Sequence, residues 1–122
     1  YLYAPQLLQN LFQNDSAISV QCDSMYPILK PKDIIIFNKQ PVDFEDILYG
    51  EMYLVSLKLN QGELVVLKRL QHADCDGKCV KLVSENPKYQ PKDVHIEKIQ
   101  ALALVKVSIV INSTIFWKHN QP

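Results

Sequence analysis

The sequence lacks an excess of charge of either sign, because its 13 basic residues balance its 13 acidic residues over a chain of 122. A domain that binds nucleic acid by itself needs a concentrated positive surface for the phosphates. Any contact with DNA would therefore come from a separate domain. The composition is otherwise that of one folded globular domain, with 48% hydrophobic and 21% charged residues.

The sequence also predicts neither a membrane-spanning segment nor a secretory signal. The most apolar stretch, residues 101–111, contains Lys106 and is shorter than the roughly 20 residues that cross a bilayer. Residues 1–10 have no positive charge followed by an apolar core, so no secretory signal is predicted. The 3 cysteines are an odd number in a chain large enough to fold without disulfides, which favours a reducing compartment. We therefore expect a cytoplasmic protein without a membrane contact.

Most of the chain is predicted to be β-structure. From Ala17 onward, short runs rich in valine and isoleucine alternate with Pro, Gly, Asn and Asp, a pattern typical of strands and turns. Turns at Asn60-Gln61-Gly62 and Asp76-Gly77 are expected to join three of the strands into an antiparallel meander. The predicted strands lie near residues 17–21, 34–38, 52–58, 63–70, 80–84 and 100–111, the last being either one bent strand or two.

A short helix is predicted before the strands. Pro5 precedes four apolar residues with helical spacing, between Leu7 and Phe12, and proline is tolerated in the first turn of a helix. The polar residues that follow end the helix. We therefore expect residues 1–16 to be a helix or linker remnant of a longer chain and residues 17–122 to be the domain itself.

Ser24 is the first candidate functional residue. It lies where a predicted strand runs into the polar turn CDSMYP, residues 22–27. A serine at a strand end can expose its hydroxyl while nearby backbone N–H groups point at one spot, as an oxyanion hole requires. Taken alone, such a serine more often hydrogen-bonds the local backbone. Cys22 is interpreted as a packed thiol, because no histidine lies near it in the motif.

Lys68 is the second candidate, in the predicted strand of residues 63–70. Because side chains alternate along a strand, Lys68 shares one face with Val66 and Leu70, and Leu67 lies on the other. With apolar neighbours on both faces, the strand is expected to be buried and the amine to be partly dehydrated, which favours its neutral form. A neutral amine can accept a proton from Ser24 and act as a base. The alternative is that Lys68 extends to solvent from an edge strand.

Five segments of the sequence, taken in order, resemble the successive blocks of the S24 peptidase family, which includes LexA, the lambda-type phage repressors and the UmuD mutagenesis proteins. The resemblance spans roughly residues 18 to 111. The segments are CDSMYP (22–27), KDIII (32–36), GEMYLV (50–55), VVLKRL (65–70) and LVSENPKYQP (82–91).

The resemblance implies a mostly β fold, a LexA-like S24 peptidase domain of antiparallel strands with a short N-terminal helix. It implies a serine peptidase in which Ser24 is the nucleophile, Lys68 is the base, and the backbone N–H groups of Ser24 and Met25 donate to the oxyanion. No metal or other cofactor is expected. The substrate cleft is expected to include the side chains of Asp23, Tyr26, Pro27 and Val66.

The function implied by the resemblance is that of a transcriptional regulator that cleaves its own chain in the SOS response to DNA damage. The expected partners are a second copy of the domain, the upstream chain as substrate, an activated recombinase filament, and DNA through a separate N-terminal domain. Two other interpretations stay open at this point. The domain could be a catalytically silent dimerisation or sensing module, or it could be a relative of the signal peptidases.

Three features depart from the family pattern. Cys22 and Lys32 stand where the family usually has glycine, which tolerates a positive φ. The family cuts at Ala-Gly or Cys-Gly, and neither dipeptide occurs in this sequence. The bond to be cut is therefore expected upstream of Tyr1.

A weaker motif surrounds the Asp76-Gly77 turn. His72, Cys75 and Cys79 have the spacing H-x₂-C-x₃-C, but the neighbourhood supplies no fourth ligand for zinc. A plain hairpin is the preferred interpretation. A disulfide between Cys75 and Cys79 is geometrically feasible in an oxidising compartment.

Overall fold

One antiparallel sheet forms the framework of the protein, whose computed structural model describes residues 14–112. The order of strands across the sheet is β1-β2-β7-β3-β4-β5-β6. Two short 3-10 turns, Phe44–Asp46 and Ile96–Lys98, precede β3 and β7. The strands are β1 (Asp15–Ser19), β2 (Ile34–Asn38), β3 (Met52–Lys58), β4 (Glu63–His72), β5 (Cys79–Val83), β6 (Lys92–His95) and β7 (Ile99–Ile109).

The mostly β, antiparallel fold predicted from the sequence is confirmed. β3, β4 and β5 form the expected meander, and its second turn has Asp76 at φ 54° and Gly77 at φ 75°. The sequence did not predict β6, a strand of four residues with one buried apolar side chain, Val94. The helix predicted between Leu7 and Phe12 lies outside the described residues, and the division of the chain near residue 16 stays a prediction.

The final apolar run is one bent strand. The first half of β7 pairs with β3 and its second half pairs with β2, so β7 joins the two parts of the sheet. The register shifts between Ser56 and Leu57 in β3 and between Ile36 and Phe37 in β2. Such bulges let a strand bend and turn toward a second set of partners.

The sheet has an apolar core on each face, as the alternation of side chains along its strands requires. On β3, for example, Tyr53 and Val55 pack into the first core and Met52 into the second. The first core consists of Ile47, Tyr53, Val55, Leu70, Val80, Leu82, Val94, Ile99 and Leu102. The second core consists of Val20, Met25, Leu29, Ile35, Met52 and Leu67.

Only part of β4 is buried, which corrects the expectation that the whole strand would be covered. Leu67 and Leu70 are 5% and 0% exposed, whereas Leu64 and Val65 are 47% and 51% exposed. Leu70 lies where β4 pairs with β5, and Leu67 packs with Met25 and Leu29 in the second core, whereas no residue of β4 before Arg69 pairs with β5. The first half of β4 therefore has one edge without a partner strand.

A type II turn with a lysine in the glycine position leads into β2. Pro31 and Lys32 occupy its centre, Lys32 has φ 82°, and Asp33 N–H donates to the Lys30 carbonyl at 3.1 Å. This φ favours glycine at the third position of such a turn. Lys32 therefore adopts a backbone conformation that favours glycine, at a position where the resemblance leads us to expect glycine.

Replacing Lys32 with glycine should stabilise the protein. A non-glycine residue in the left-handed region costs about 1–2 kcal/mol, which exceeds the extra conformational entropy that glycine loses on folding. We expect Lys32→Gly to raise the free energy of unfolding by about 0.5–1 kcal/mol, measured by urea denaturation. Lys39→Gly, at an exposed site without a positive φ, is the control and should lower stability. A loss of stability in Lys32→Gly would show that the strain of the turn costs less than the lysine side chain contributes to stability.

Asp33 joins this turn to the end of β7. Its fully buried carboxylate accepts hydrogen bonds from Lys30 N–H at 2.9 Å, from Lys30 Nζ at 2.8 Å and from Ile111 N–H at 2.9 Å. Burial raises the pKa of Asp33, but the hydrogen bonds from Lys30 and Ile111 outweigh it and hold the pKa below its ordinary value.

Asp33→Ala should destabilise the protein by about 2–4 kcal/mol, because it leaves two backbone N–H groups and an ammonium group without their acceptor. Since the folded state lowers the pKa, the stabilisation is present above about pH 4 and is lost as the pH falls below that value. Thermal denaturation of both proteins at pH 7 and pH 3 checks this. An equal difference between them at the two pH values would contradict the role given to the ionised carboxylate.

Candidate active site

Residues 20–33, between β1 and β2, form a loop that carries Ser24, and we name it the Ser24 loop. Buried side chains hold this loop in place. Met25 and Leu29 are fully buried in the second core, and Leu29 N–H donates to the Met25 carbonyl at 2.9 Å. Tyr26 N–H donates to the Asp23 carbonyl at 3.1 Å, and the Tyr26–Pro27 peptide bond is cis. The loop therefore fixes Ser24, which is only 5% exposed, against the sheet.

The hydroxyl of Ser24 donates to the main chain of β4. Its Oγ lies 3.2 Å from the Leu67 carbonyl oxygen. The N–H and C=O groups of a strand point alternately to its two sides, so those of Leu67 and Arg69 point to the same side. Arg69 pairs on that side with Val83, the last residue of β5. Because β5 ends there, the Leu67 carbonyl has no strand partner on that side. The Ser24 loop therefore docks where the β4–β5 ladder stops.

Lys68 follows Leu67 on β4 and is half-buried. Its Nζ donates to Ser84 Oγ at 2.6 Å and lies 5.3 Å from the centroid of the Tyr89 ring. Ser24 thus contacts the main chain of β4 at the residue before Lys68. Among residues 14–112, no hydrogen bond joins their two side chains directly.

The segment 84–89, which follows β5, contacts both candidates, and we name it the bridging segment. Besides the bond from Lys68 to Ser84, the Asn86 main chain N–H donates to the Ser24 carbonyl at 3.0 Å. The Asn86 side chain donates to the Asp23 carbonyl, also at 3.0 Å. Sequence reasoning gave Ser84 and Asn86 no role, although both lie in the fifth segment of the resemblance, LVSENPKYQP.

Tyr89 and Asp23 close the site at the solvent side. The Tyr89 hydroxyl donates to Asp23 Oδ1 at 2.5 Å. This hydrogen bond lowers the pKa of Asp23 below its ordinary value and raises the pKa of Tyr89 above its own. The bond is the third between the Ser24 loop and the bridging segment, after the two that Asn86 donates.

An apolar groove, formed by two adjoining clefts of about 250 and 280 Å³, runs across the sheet from the Ser24 loop. Ile18, Leu54 and Val65 line both clefts, and Cys22 and Leu67 line the end nearest Ser24. The remaining lining residues are Ser19, Val20, Gln21, Ile35, Phe37, Lys39, Pro41, Ser56, Ala101, Leu102 and Ala103.

None of the four side chains expected in the substrate cleft lines this groove, and their role in substrate binding stays a prediction. Val66 packs against the first core on the opposite face of β4, so its neighbour Val65 faces the groove in its place. Asp23 binds Tyr89, and Tyr26 and Pro27 are exposed beyond the groove's lining. Because side chains alternate between the two faces of a strand, Val65 and Val66 necessarily lie on opposite faces of β4.

Comparison with known families gives this arrangement a context. Residues 2–106 match the family model described as Peptidase S24-like. The chain belongs to the Peptidase S24-like family. The match confirms the resemblance and is consistent with a peptidase-type domain built on an antiparallel sheet. No match was found among curated proteins.

Two positions of this S24-like domain differ from the glycines that the family usually has. Lys32 keeps a positive φ, whereas Cys22 does not adopt one. The Cys22 thiol is exposed, not packed as expected, and its Sγ lies 3.3 Å from Ser24 Oγ. Cys22 therefore places a thiol next to Ser24. Lys32 places a side chain in a turn whose backbone conformation favours glycine.

The backbone groups expected to form an oxyanion hole are compatible with that role. Among the described residues, neither the Ser24 N–H nor the Met25 N–H donates a hydrogen bond. Both groups can therefore donate to a negative oxygen that develops beside Ser24. Their role in this S24-like domain stays a prediction.

The residues of the H-x₂-C-x₃-C motif form a disulfide and a ring contact. Cys75 and Cys79 form a disulfide with their Cα atoms 5.3 Å apart, and the His72 ring stacks on Tyr49. Residues 14–112 contain no group of three or more His, Cys, Asp or Glu side chains that could hold a metal ion. Over the same residues, no helix has the length and apolar character needed to cross a membrane. The cytoplasmic location stays a prediction.

Proposed function

We propose that this chain is a Ser/Lys peptidase domain that cleaves a peptide bond in its own longer chain. The observation that carries the proposal is the docking of the Ser24 hydroxyl on β4 directly before Lys68, at one end of an apolar groove. Membership of the Peptidase S24-like family supports a peptidase-type domain.

The chemistry is an acyl transfer followed by hydrolysis. Ser24 Oγ bonds to the carbonyl carbon of the scissile peptide, and its proton passes to the neutral Lys68 amine. The N–H groups of Ser24 and Met25 stabilise the oxyanion. Lys68 then returns the proton to the leaving amine as the C–N bond breaks. Water, deprotonated by Lys68, attacks the resulting ester and releases Ser24 with its proton restored.

Catalysis requires one change from the observed hydrogen bonds. The Ser24 hydroxyl donates to the Leu67 carbonyl, and it must donate to the Lys68 amine instead before it attacks. A rotation about the Cα–Cβ bond of serine releases the hydroxyl from the Leu67 carbonyl and is the first movement that this exchange of acceptors needs. We propose that the observed arrangement is the resting state of the site.

The groove indicates the form of the substrate segment. Its walls are mainly the side chains of Ile18, Leu54, Val65 and Leu67, so an extended peptide with apolar side chains would bury them there. The Cys22 side chain narrows the end beside Ser24, which favours a small residue at the scissile bond. We propose that this bond lies in the parent protein, outside the present sequence.

The wider role that we propose is that of a LexA-like or phage-repressor-like regulator. In such a protein the domain dimerises, an N-terminal domain binds DNA, and self-cleavage follows contact with an activated recombinase filament after DNA damage. The absence of excess positive charge agrees with DNA contact through a separate domain.

A catalytically silent dimerisation or sensing module is the second candidate. It is favoured by the hydrogen bonds of the two side chains, which go to Leu67 and Ser84 and not to one another. A silent module would leave the parent protein uncut under every condition, and regulation would not depend on Ser24.

Incubation of the full-length parent protein tests the proposal. Alkaline pH favours the neutral amine, so we expect two fragments to form with first-order kinetics that do not depend on protein concentration. Mass spectrometry of the fragments identifies the bond that is cut. A parent that stays intact up to pH 10, with and without an activated recombinase filament, would leave the silent module as the better description.

A further inference from the structure

Ser84 gives the Lys68 amine its hydrogen-bond partner. It is the first residue after β5, where the chain leaves the sheet, and its Oγ accepts from Lys68 Nζ at 2.6 Å. Among residues 14–112, the amine makes no other hydrogen bond or ion pair, and the ring of Tyr89 covers it from a second side. One hydroxyl therefore fixes the direction of the amine.

A lysine that acts as a base needs such a partner. Its side chain has four rotatable bonds, and its neutral amine has two N–H groups and a single lone pair. The amine can accept a proton only in the direction of that lone pair. When an N–H of the amine is directed at Ser84, fewer directions remain open to its lone pair.

The bridging segment contacts both the Lys68 amine and the Ser24 main chain. Ser84 holds the Lys68 amine, and Asn86, two residues later, holds the carbonyl of Ser24. The positions of the base and the nucleophile are therefore set by two residues of one short segment.

We propose that Ser84 is a positioning residue of the peptidase, which orients the Lys68 amine toward Ser24. The inference rests on the proposed Ser/Lys chemistry and adds a third side chain to it. Ser84 does not contact the substrate or exchange a proton with it.

The first test is the rate of self-cleavage of the full-length parent at alkaline pH. We expect Ser84→Ala to slow it by about 10–100-fold, because a small misplacement of a catalytic group has an effect of this size. Ser84→Thr keeps the hydroxyl and should restore the rate to within about 3-fold of wild type. Ser108→Ala, at an exposed serine on β7, should be unchanged.

A second readout does not depend on self-cleavage. An alkyl fluorophosphonate reacts with an activated serine: the oxygen bonds to phosphorus, fluoride leaves, and the hydroxyl proton passes to the Lys68 amine. Labelling of Ser24, followed by mass spectrometry, should show the same order of rates, with Ser84→Ala slow and Ser84→Thr close to wild type.

The outcomes separate this inference from the proposed function. Equal rates in wild type and Ser84→Ala, or a Ser84→Thr variant as slow as Ser84→Ala, would overturn the role of Ser84 and leave the Ser/Lys chemistry in place. Labelling of Ser24 in a parent that never cuts itself would overturn self-cleavage, and the labelling rates would then decide on Ser84. A wild type that neither cuts nor is labelled would overturn both.

Discussion

A Ser24→Ala variant of the full-length parent should lose self-cleavage by about 10³-fold or more, because no oxygen nucleophile remains at the docking point on β4. The fold should survive the change. Ser24 contributes one hydrogen bond to the Leu67 carbonyl, and loss of such a bond costs about 1 kcal/mol. The rate of fragment formation measures the first effect, and thermal denaturation measures the second.

Cys22 makes this experiment informative, because its thiol lies 3.3 Å from the Ser24 hydroxyl. If Cys22 were the nucleophile, Ser24→Ala would still cut and Cys22→Ala would not. We expect the reverse, with Cys22→Ala retaining cleavage. Continued cleavage by Ser24→Ala at the wild-type rate would exclude Ser24 as the nucleophile.

A Lys68→Met variant should also lose self-cleavage by about 10³-fold or more, since methionine keeps the apolar stem and removes the base. In the wild type, the rate should rise as the pH increases above neutral, because the neutral fraction of a lysine amine rises. The variant should lack this rise. Rates of the parent's self-cleavage between pH 7 and pH 10 provide the comparison.

Lys58→Met is the matched control for the loss of a lysine, because Lys58 is exposed at the end of β3. It should keep the wild-type dependence on pH. A wild-type pH profile that persists in Lys68→Met would show that another group accepts the proton.

The hydrogen bond between Tyr89 and Asp23 limits the pH range of these experiments. The folded state lowers the pKa of Asp23, so the bond's stabilisation is lost as the pH falls below about 4. The folded state raises the pKa of Tyr89, so the stabilisation is also lost when the pH rises well above about 10. The hydrogen bond from Tyr89 to Asp23 therefore holds the Ser24 loop to the bridging segment between these limits.

Hydrophobic alternation predicted the fold well where strands are long. The bounds of β2 and β3 were predicted without error, because both strands have apolar cores to fill and clear turns beside them. β6 was missed because four residues with a single buried side chain, Val94, carry no periodic signal. The bend of β7 was left open because it depends on which two strands pair with its halves.

The sequence identified Ser24 and Lys68 as candidates, but it did not predict their hydrogen bonds. The bond from Ser24 to Leu67 exists because β5 ends at Val83 and leaves a carbonyl without a partner. The bond from Lys68 to Ser84 depends on the path of the chain after that end. Both hydrogen bonds depend on where β5 ends. The alternation of apolar residues in β4 does not determine that end.

The site of covalent labelling tests the central claim most directly. After treatment of the wild-type protein with a fluorophosphonate, peptide mapping should place one adduct on Ser24, at a rate that rises with pH and collapses in Lys68→Met. A label on another residue, or equal labelling of Ser24 with and without the Lys68 amine, would contradict a Ser24 nucleophile activated by Lys68.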